Sequence, residues 1–260
     1  MNEPSEPCPD CGGTGARCVC GTEKLAVLFD TETTGAEEGA QIIESAMGFI
    51  DTDAPPMEAR ITHIRVQRYC PSVPIELGAL ATHHIIARDV ENCPPSTSFT
   101  LPPNVVLLVG HNINFDWKMA GRPKVKRICT LALARKVWPT LDSHTLGALI
   151  YFLHPHPQAQ DLLRGVHSAA VDVENVLRVL AALCVELKPS SWNELWKMSE
   201  EARVPTVMAF GKHQGDAIVD LPTDYRNWIL KQGPDMDPYL KVAVRRSFGW
   251  SANLPTDDEL

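Results

Sequence analysis

The chain has 260 residues, of which 44% are hydrophobic and 22% are charged, a composition that predicts one substantial core with smaller appendages. Lys and Arg total 24 against 32 Asp and Glu, which gives a net charge of -8. This acidity excludes a general polyanion-coating protein, because contact with nucleic acid would need a local basic patch or bound cations. The charge balance therefore favours a metal-dependent enzyme over a coating protein.

Two features of the sequence predict a cytoplasmic protein without a membrane segment. No apolar run approaches the length of a membrane span. The first residues, MNEPSEPCPD, lack the charged and apolar regions of a signal peptide. Cysteines are expected to stay reduced in that compartment, and the four that are scattered singly are predicted to be small packing residues: Cys70, Cys93, Cys129 and Cys184.

The other four cysteines lie in residues 1–22, a segment with too few apolar residues for a core: Cys8, Cys11, Cys18 and Cys20. Four thiolates in a reduced compartment suit a structural tetrahedral zinc ion. The segment is similar to the zinc-binding repeats of DnaJ-type chaperones, but its second pair has one intervening residue where that pattern has two. We interpret it as a zinc-binding element, and the alternative is a disordered extension with incidental cysteines.

From residue 24 onward the apolar pattern predicts a mixed α/β sheet with helices packed on it. Residues 25–29 and 105–109 are short apolar runs typical of buried strands. Residues 41–51 and 60–69 are the next strand candidates. Three consecutive strands without an intervening helix predict an antiparallel meander at one side of the sheet.

Helices are predicted at 115–120, 131–137, 143–153 and about 168–187. The last of these has apolar residues at helical spacing, which predicts one buried stripe: Val173, Val176, Leu177, Leu180, Leu183, Cys184 and Leu187. Residues 188–191 are predicted to be a linker, and residues 192–260 a small separate module. The nuclease domain is predicted to end at residue 188, so that 189–260 forms the last region.

Acidic residues lie at the ends or on the buried faces of these elements. Asp30 and Glu32 end the first strand and, being two residues apart, project from one face. Asp116 follows the other buried strand, and Asp172 falls on the apolar stripe of the long helix. Buried or adjacent carboxylates are costly unless a cation or partner is present.

Each acidic segment taken alone also fits a simpler interpretation. The pair on the first strand fits solvated acids at a strand end, and Asp116 fits a helix N-terminal aspartate stabilised by the helix dipole. His167, just before the long helix, fits a capping or core histidine.

Together the three segments resemble the three motifs of the DEDDh (DnaQ-like) 3′–5′ exonuclease superfamily. The matching residues are Asp30-Thr-Glu32, then His111-Asn-x-x-Phe-Asp116, then His167-x-x-x-x-Asp172. The resemblance implies a ribonuclease H-like fold over residues 23–188, with a mixed five-stranded sheet and flanking helices. It also implies hydrolysis of phosphodiester bonds by two-metal-ion catalysis, with release of nucleoside 5′-monophosphates.

The resemblance also implies a role for each motif residue. Asp30, Glu32, Asp116 and Asp172 would hold two Mg²⁺ or Mn²⁺ ions, with Asp30 bridging both. His167 would be the general base, a role that suits an imidazole with an ordinary pKa of about 6.5. Hard divalent cations prefer oxygen ligands, which agrees with a site of carboxylates without cysteine.

Within the superfamily the chain is similar to the exonuclease X group and its phage relatives, from about residue 24 to residue 248. Residues 81–85 are similar to the group's Ala-x-His-x-Ile element, which lies beside the substrate 3′ end. The substrate-binding residues implied by the resemblance are Thr31, Thr33, His83, Ile85, Asn112 and Phe115. Phe115 is also expected to anchor into the core, and Arg135 and Lys136 are expected to be available for phosphates.

Residues 210–215 (FGKHQG) and 225–228 (YRNW) resemble the small module that follows the nuclease domain in that group. Gly211 and Gly215 predict a tight hairpin turn. One interpretation is a surface that binds a single strand by charge and stacking, and the other is a solvated surface with Trp228 in a minor core. The residues of the first interpretation are Lys212, Tyr225, Arg226, Trp228, Lys231, Lys241, Arg245 and Arg246.

The sequence therefore predicts a DNA exonuclease whose partner is nucleic acid. A ribonuclease of the oligoribonuclease or ribonuclease T kind remains an alternative, because that distinction depends on contacts to the 2′-OH. A non-catalytic nucleic-acid-binding module on a degenerate nuclease fold is disfavoured, because all five catalytic positions are present.

Overall fold

The computed structural model describes residues 24–164, 168–233, 236–256 and 259. The four N-terminal cysteines and His167 lie outside these residues. The chain divides into two compact units, Met1–Trp196 and Lys197–Leu260.

The first unit contains one five-stranded sheet with the strand order β3-β2-β1-β4-β5. The strands are β1 (Leu25–Thr33), β2 (Ile42–Ile50), β3 (Ile61–Arg68), β4 (Val105–Gly110) and β5 (Lys126–Cys129). The pairs β1–β2 and β2–β3 are antiparallel, whereas β1–β4 and β4–β5 are parallel. The predicted meander and the mixed five-stranded sheet of a ribonuclease H-like fold are confirmed.

Helices flank this sheet and also occur in the second unit. They are α1 (Leu77–His83), α2 (Ala87–Val90), α3 (Asn114–Met119), α4 (Thr130–Val137), α5 (Leu146–Leu153), α6 (His156–Leu162), α7 (Ala169–Leu187), α8 (Trp192–Ala202), α9 (Thr223–Lys231) and α10 (Pro238–Ser247). Strand β5 and helix α6 are among the elements of the first unit that the sequence pattern does not predict. Strand β5 has four residues, too few to show an alternation. Helix α6 has a proline in its first turn, where proline is tolerated although it reads as a loop signal.

Helix α7 packs on β1 and β2 through the predicted stripe, of which Val173, Val176, Leu180 and Leu183 are buried. The helix approaches β2 closely at Gly48. A Cβ added at Gly48 would lie 2.6 Å from Cγ1 of Val173. The missing side chain therefore lets the first turn of α7 lie against the sheet.

The first unit extends past the predicted linker into α8. Trp192 Nε1 donates a hydrogen bond to the carbonyl of Ala54 at 3.0 Å. The ammonium group of Lys126 lies 4.5 Å from the ring centroid of Trp196 and donates to Asn193 at 2.6 Å. These contacts hold the beginning of α8 to the first unit, so the boundary between the units falls inside this helix.

The second unit has its own small core, which α9 and α10 help to form: Met208, Ile218, Leu221, Ile229, Leu240, Ala243 and Val244. The predicted hairpin turn is confirmed by the antiparallel bridge between Val207 and Ala217. Gly211 and Gly215 have φ values of 74° and 89°, in the left-handed region that favours glycine.

The four described cysteines are free thiols. Cys129 and Cys184 are buried, as expected of packing residues, whereas Cys70 and Cys93 are partly exposed. Among the helices in the described part of the chain, none combines the length and the apolar character needed to cross a bilayer.

Candidate active site

Three carboxylates meet where β1 ends. Asp30, Glu32 and Asp172 offer oxygen atoms that all lie within 4.8 Å of one another. Asp30 and Glu32 extend from one face of β1, as the two-residue spacing predicts. Asp172 comes from the first turn of α7. The structure thus brings together two of the predicted motifs in one group of carboxylates that could hold a metal ion.

A fourth carboxylate, Asp116, is held against β1 by Thr31. Its Oδ1 accepts hydrogen bonds from the Thr31 backbone N–H at 2.9 Å and from the Thr31 hydroxyl at 2.8 Å. Asp116 is buried in the first turn of α3. Thr31 is predicted to bind substrate, but in the structure both of its donors orient Asp116.

Burial and mutual repulsion disfavour the charged forms of these acids. The pKa of Asp30 is raised well above its ordinary value by burial, and then by Asp116, Asp172 and the neighbouring glutamates. Burial, followed by repulsion from other acids, raises the pKa of Glu32 to about 8. Burial raises the pKa of Asp116 to about 7, although its hydrogen bonds from Thr31 oppose the shift. A cation among these groups would relieve the repulsion.

Sequence reasoning missed Glu44, a carboxylate on β2 that is 2% exposed. It lies directly opposite Glu32 in the strand register. Its Oε2 accepts a hydrogen bond from Arg68 Nε at 2.8 Å, and its Oε1 accepts one from the Ala169 backbone N–H at 3.1 Å. The sequence signal that could have identified Glu44 is a single carboxylate, directly after Ile42 and Ile43, in an otherwise apolar stretch.

Three of the predicted substrate residues form a buried connection between β1 and α1. His83 Nδ1 accepts a hydrogen bond from the Ile85 backbone N–H at 2.9 Å, and His83 Nε2 donates to the carbonyl of Thr33 at 3.2 Å. The Thr33 hydroxyl donates to the carbonyl of Gly35 at 2.6 Å. Ile85 is buried in a small cluster with Ile43. These contacts fix the end of α1 beside the strand that carries Asp30 and Glu32, which with Asp172 are called the acidic cluster.

The other two predicted substrate residues lie around the start of α3. Asn112 is exposed and has a φ of 66°, a left-handed conformation that asparagine tolerates better than most residues. Phe115 is only partly buried, so the expectation that it anchors into the core is wrong. Ile113 and Trp117 are buried there instead, because the helix turns these two positions inward.

His111, the first residue of the second motif, has a structural position. Its Nδ1 lies 3.0 Å from the Thr130 hydroxyl, and its Nε2 donates to the carbonyl of His144 at 2.9 Å. Burial lowers the pKa of His111 to about 4, which keeps the ring neutral. A cleft of about 440 Å³ opens beside it, lined by His111, Leu131, Arg135, Asp142, Ser143, His144, Thr145 and Leu146. Arg135 is exposed there.

In the second unit, several predicted strand-binding cations are engaged by their own chain. Arg226 donates to the carbonyl and the hydroxyl of Ser247 at 3.0 and 3.1 Å. Lys241 donates to two main-chain carbonyls at 2.8 Å each. Arg246 forms a bidentate pair with Glu201 at 2.7 and 3.0 Å. These contacts favour a structural role for the three residues over the interpretation in which they bind a strand.

The aromatic pair of the second unit is accessible. Tyr225 and Trp228 stack with ring centroids 5.3 Å apart, and Lys212 Nζ lies 5.2 Å from the Tyr225 centroid. Trp228 is 46% exposed, and Ile229 takes the core position beside it. The alternative that Trp228 lies in a minor core is therefore wrong.

Several known structures and one family model are similar to parts of the chain. Exonuclease X in complex with 5′-overhanging duplex DNA has 20% identity and a TM-score of 0.49, covering 67% of this chain and 99% of that one. Escherichia coli exonuclease I in complex with a dA16 oligonucleotide has 14% identity and a TM-score of 0.49, covering 72% of this chain and 46% of that one. A family model described as "Putative quorum-sensing-regulated virulence factor" matches residues 200–236, in the second unit and the end of α8.

A sequence relative covers more of the chain. Exodeoxyribonuclease 10 of Escherichia coli strain K12 is 26% identical over 226 residues, which are 84% of this chain and 96% of that protein. The protein of the same name from Escherichia coli O6:H1 strain CFT073 matches with the same figures. The chain is therefore similar over most of its length to an exodeoxyribonuclease, and it assembles acidic residues of the DEDDh (DnaQ-like) 3′–5′ exonuclease motifs at one end of β1.

Proposed function

We propose that this protein is a metal-dependent 3′–5′ exonuclease that hydrolyses the phosphodiester bonds of DNA. The observation that carries the proposal is the group of carboxylate oxygens within 4.8 Å of one another on β1 and α7. Homology to a protein named exodeoxyribonuclease 10 supports DNA over RNA as the substrate.

The acidic cluster fits two Mg²⁺ or Mn²⁺ ions by its donor chemistry. All the donors of the group are carboxylate oxygens, which hard divalent cations prefer. Burial and repulsion raise the pKa values of Asp30 and Glu32, a cost that bound cations would reverse. Asp30, Glu32, Asp172 and Asp116 would hold the ions, and the two hydrogen bonds from Thr31 would keep the Asp116 carboxylate in place. When bound, the ions would polarise the scissile phosphate and lower the pKa of water.

His167 is proposed as the general base on the strength of the third motif, in which it precedes Asp172 by five residues. A neutral imidazole would accept a proton from the attacking water. The water oxygen would form a bond to phosphorus while the bond from phosphorus to the 3′ oxygen breaks, and the 3′ oxygen would take up a proton. The products would be a nucleoside 5′-monophosphate and a strand shortened by one nucleotide with a free 3′ hydroxyl.

The remaining site residues are proposed to contact or shape the strand. Asn112 and Phe115 are accessible at the start of α3, and exposed Arg135 can reach a phosphate from its cleft. Thr33, His83 and Ile85 are proposed to form the wall beside the 3′ end, because their mutual contacts hold α1 beside β1.

The proposal is tested with 5′-labelled single- and double-stranded oligonucleotides of DNA and RNA. With Mg²⁺ or Mn²⁺ we expect a ladder of shortened labelled DNA, and with chelator we expect none. Immediate release of a labelled mononucleotide would indicate the opposite polarity. Preferential degradation of the RNA would favour the ribonuclease alternative.

Two variants separate the site from general effects of charge. Asp30→Asn removes a proposed metal ligand and should abolish the ladder. Asp51→Asn makes the same change at an exposed position directly after β2 and should leave the ladder intact. Equal activity of both variants would rule out the acidic cluster as the active site.

We also propose a structural zinc ion bound by Cys8, Cys11, Cys18 and Cys20. The support is that four thiolates suit a structural zinc site and that the first pair has the usual two intervening residues, although the second pair has one. Protein prepared without chelator should contain about one zinc per chain, and the Cys8→Ser variant should lose it while keeping nuclease activity. Protein that contains no zinc would leave an extension with incidental cysteines.

A further inference from the structure

Glu44 is a buried carboxylate that no step of the proposed reaction uses. Its position directly opposite Glu32 is unfavourable by itself, because like charges on facing strand positions repel. Each of its oxygens nevertheless has a specific partner. Oε2 accepts from Arg68 on β3 at 2.8 Å, and Oε1 accepts from the Ala169 backbone N–H on α7 at 3.1 Å. Glu44 therefore connects three elements of the first unit.

The contact with Ala169 replaces a helix cap. The first backbone N–H groups of a helix have no partner within the helix, and a negative charge near them is favourable. Ser168, the residue that precedes α7, makes no capping hydrogen bond with its side chain. Glu44 reaches across from β2 and accepts the hydrogen bond instead.

The capped turn is the one that carries Asp172. Asp172 follows Ala169 by three residues, and its backbone N–H donates to the carbonyl of Ser168 at 3.1 Å. Four residues along β2 from Glu44, Gly48 leaves the space that Val173 fills. Strand β2 thus contacts the first turn of α7 at two places, Ala169 and Val173, and Asp172 lies between them.

We propose that Glu44 is a positioning residue that places Asp172 for divalent-cation binding. By holding the first turn of α7, it sets the Asp172 carboxylate against Asp30 and Glu32. Arg68 keeps the Glu44 carboxylate oriented toward the helix. The inference rests on the proposed function only in taking a divalent cation as the ligand of the acidic cluster.

The test is a calorimetric titration of the metal-free full-length protein with Mn²⁺ alone. Glu44→Gln keeps the shape but has one acceptor oxygen for two donors, so Mn²⁺ binding should weaken by about 10–100-fold, the usual effect of losing a residue that orients a ligand. Arg68→Met should also weaken Mn²⁺ binding, and because the Arg68 side chain is 45% exposed, this change should disturb the core less than Glu44→Gln.

Glu200→Gln is the matched control. Glu200 is also a buried carboxylate, with Arg203 at 3.4 Å and a hydrogen bond from the Tyr239 hydroxyl at 2.7 Å, but it lies in the second unit. Its variant should lower the urea midpoint without changing the Kd for Mn²⁺. Hydrolysis by Glu44→Gln should fall at low Mn²⁺ and recover as Mn²⁺ is raised, with KM for DNA unchanged.

Wild-type Mn²⁺ affinity in both Glu44→Gln and Arg68→Met, with only a lower urea midpoint, would overturn the proposal and leave Glu44 a structural residue. If Glu44→Gln does not fold, Arg68→Met decides by the same criterion. A wild-type protein that fails to cut DNA, while Glu44→Gln still binds Mn²⁺ more weakly, would contradict the exonuclease proposal and support this one.

Discussion

The acidic cluster of the first unit and the basic residues of the second unit differ in how their charges are surrounded: the acids lie beside other acids, whereas several of the bases lie beside acceptors. In the first unit, Asp30, Glu32 and Asp172 lie together, and burial and mutual repulsion raise the pKa values of Asp30 and Glu32. In the second unit, Arg246 is paired with Glu201 and Lys241 is satisfied by main-chain carbonyls.

This difference separates residues that bind a ligand from residues that hold a fold. A group of like charges lowers the free energy of unfolding, so its presence in a folded chain indicates a ligand of opposite charge. A charge satisfied by its own chain indicates a structural role. By this criterion the first unit carries the reaction, and the second unit offers only the few groups that its own contacts leave accessible.

Neutralising one member of the acidic cluster should have the largest effect. Asp172→Asn should lower kcat/KM with Mg²⁺ by about 10³-fold or more, because a Lewis-acid ion contributes several kcal/mol to the transition state. The same variant should raise the urea midpoint in chelator, since one of the repelling charges is gone. Asp216→Asn, which neutralises an acid paired with His213 at 2.9 Å, should not raise it. Near-wild-type turnover of Asp172→Asn would contradict the two-metal proposal.

Removing the proposed base should have the next largest effect. His167→Ala should lower kcat by about 10²–10⁴-fold, the usual contribution of a positioned general base, and leave Mn²⁺ affinity nearly unchanged. Part of the rate should return at high pH, where water ionises without assistance. The check is the pH–rate profile between about pH 5 and about pH 9, which should lose the inflection of an imidazole with a pKa of about 6.5. A profile identical to that of the wild type would make His167 a structural residue.

The repulsion in the acidic cluster also predicts how stability depends on pH without metal. The pKa of Glu32 is raised from 4.5 to about 8 in the folded protein. Between these values the folded state holds more protons than the unfolded chain, so the free energy of unfolding falls as pH rises. The loss should be on the order of a few kcal/mol.

Urea titrations in chelator, at about pH 5 and about pH 8, measure this loss. Glu32→Gln should flatten the dependence, and added Mg²⁺ should restore stability at the higher pH because it binds only the folded site. A midpoint that rises with pH in chelator would show that the cluster is not strained.

The fold of the first unit could be predicted where the pattern was long or strongly apolar. The runs of β1 and β4, and the stripe of α7, each predict their element from side-chain spacing. Strand β5 is too short for that signal, and its place in the sheet depends on parallel pairing with β4. The beginning of α8 belongs to the first unit because of side-chain contacts such as Trp192 with Ala54, which no local pattern encodes.

The candidate active site could likewise be predicted only where a local pattern or motif encodes it. The spacing of Asp30 and Glu32 predicts a shared face, and the three motifs predict that Asp172 joins them. The partner of each donor could not be predicted, because it depends on distant elements meeting. Thr31 donates to Asp116, 85 residues away, and Glu44 accepts from Ala169, 125 residues away. In the same way, the role of Arg226 depends on Ser247, which α10 brings to it.

The smallest predicted effect concerns the accessible groups of the second unit. Tyr225 and Trp228 are proposed to stack a base of single-stranded DNA, with Lys212 near its phosphate. Trp228→Ala should then weaken binding of a single-stranded oligonucleotide by about 1–3 kcal/mol, the usual contribution of one stacked base. Trp250→Ala is the matched control. Trp250 is 54% exposed and stacks on Phe248 with ring centroids 4.9 Å apart.

The measurement is binding by the full-length Asp30→Asn variant, which should not degrade its ligand, at several salt concentrations. Lys212→Gln should reduce the dependence of Kd on salt, because each neutralised phosphate releases counterions. Trp250→Ala should leave both Kd and its salt dependence unchanged, because Trp250 stacks on Phe248, and Arg226, the cation over the Phe248 ring, already donates to Ser247. Equal losses in the two tryptophan variants would mean that exposed aromatic area alone, or the stability of the second unit, is responsible. The inference that clustered like charges indicate a ligand would then still hold for the acidic cluster, whereas Tyr225 and Trp228 would have no specific role in binding.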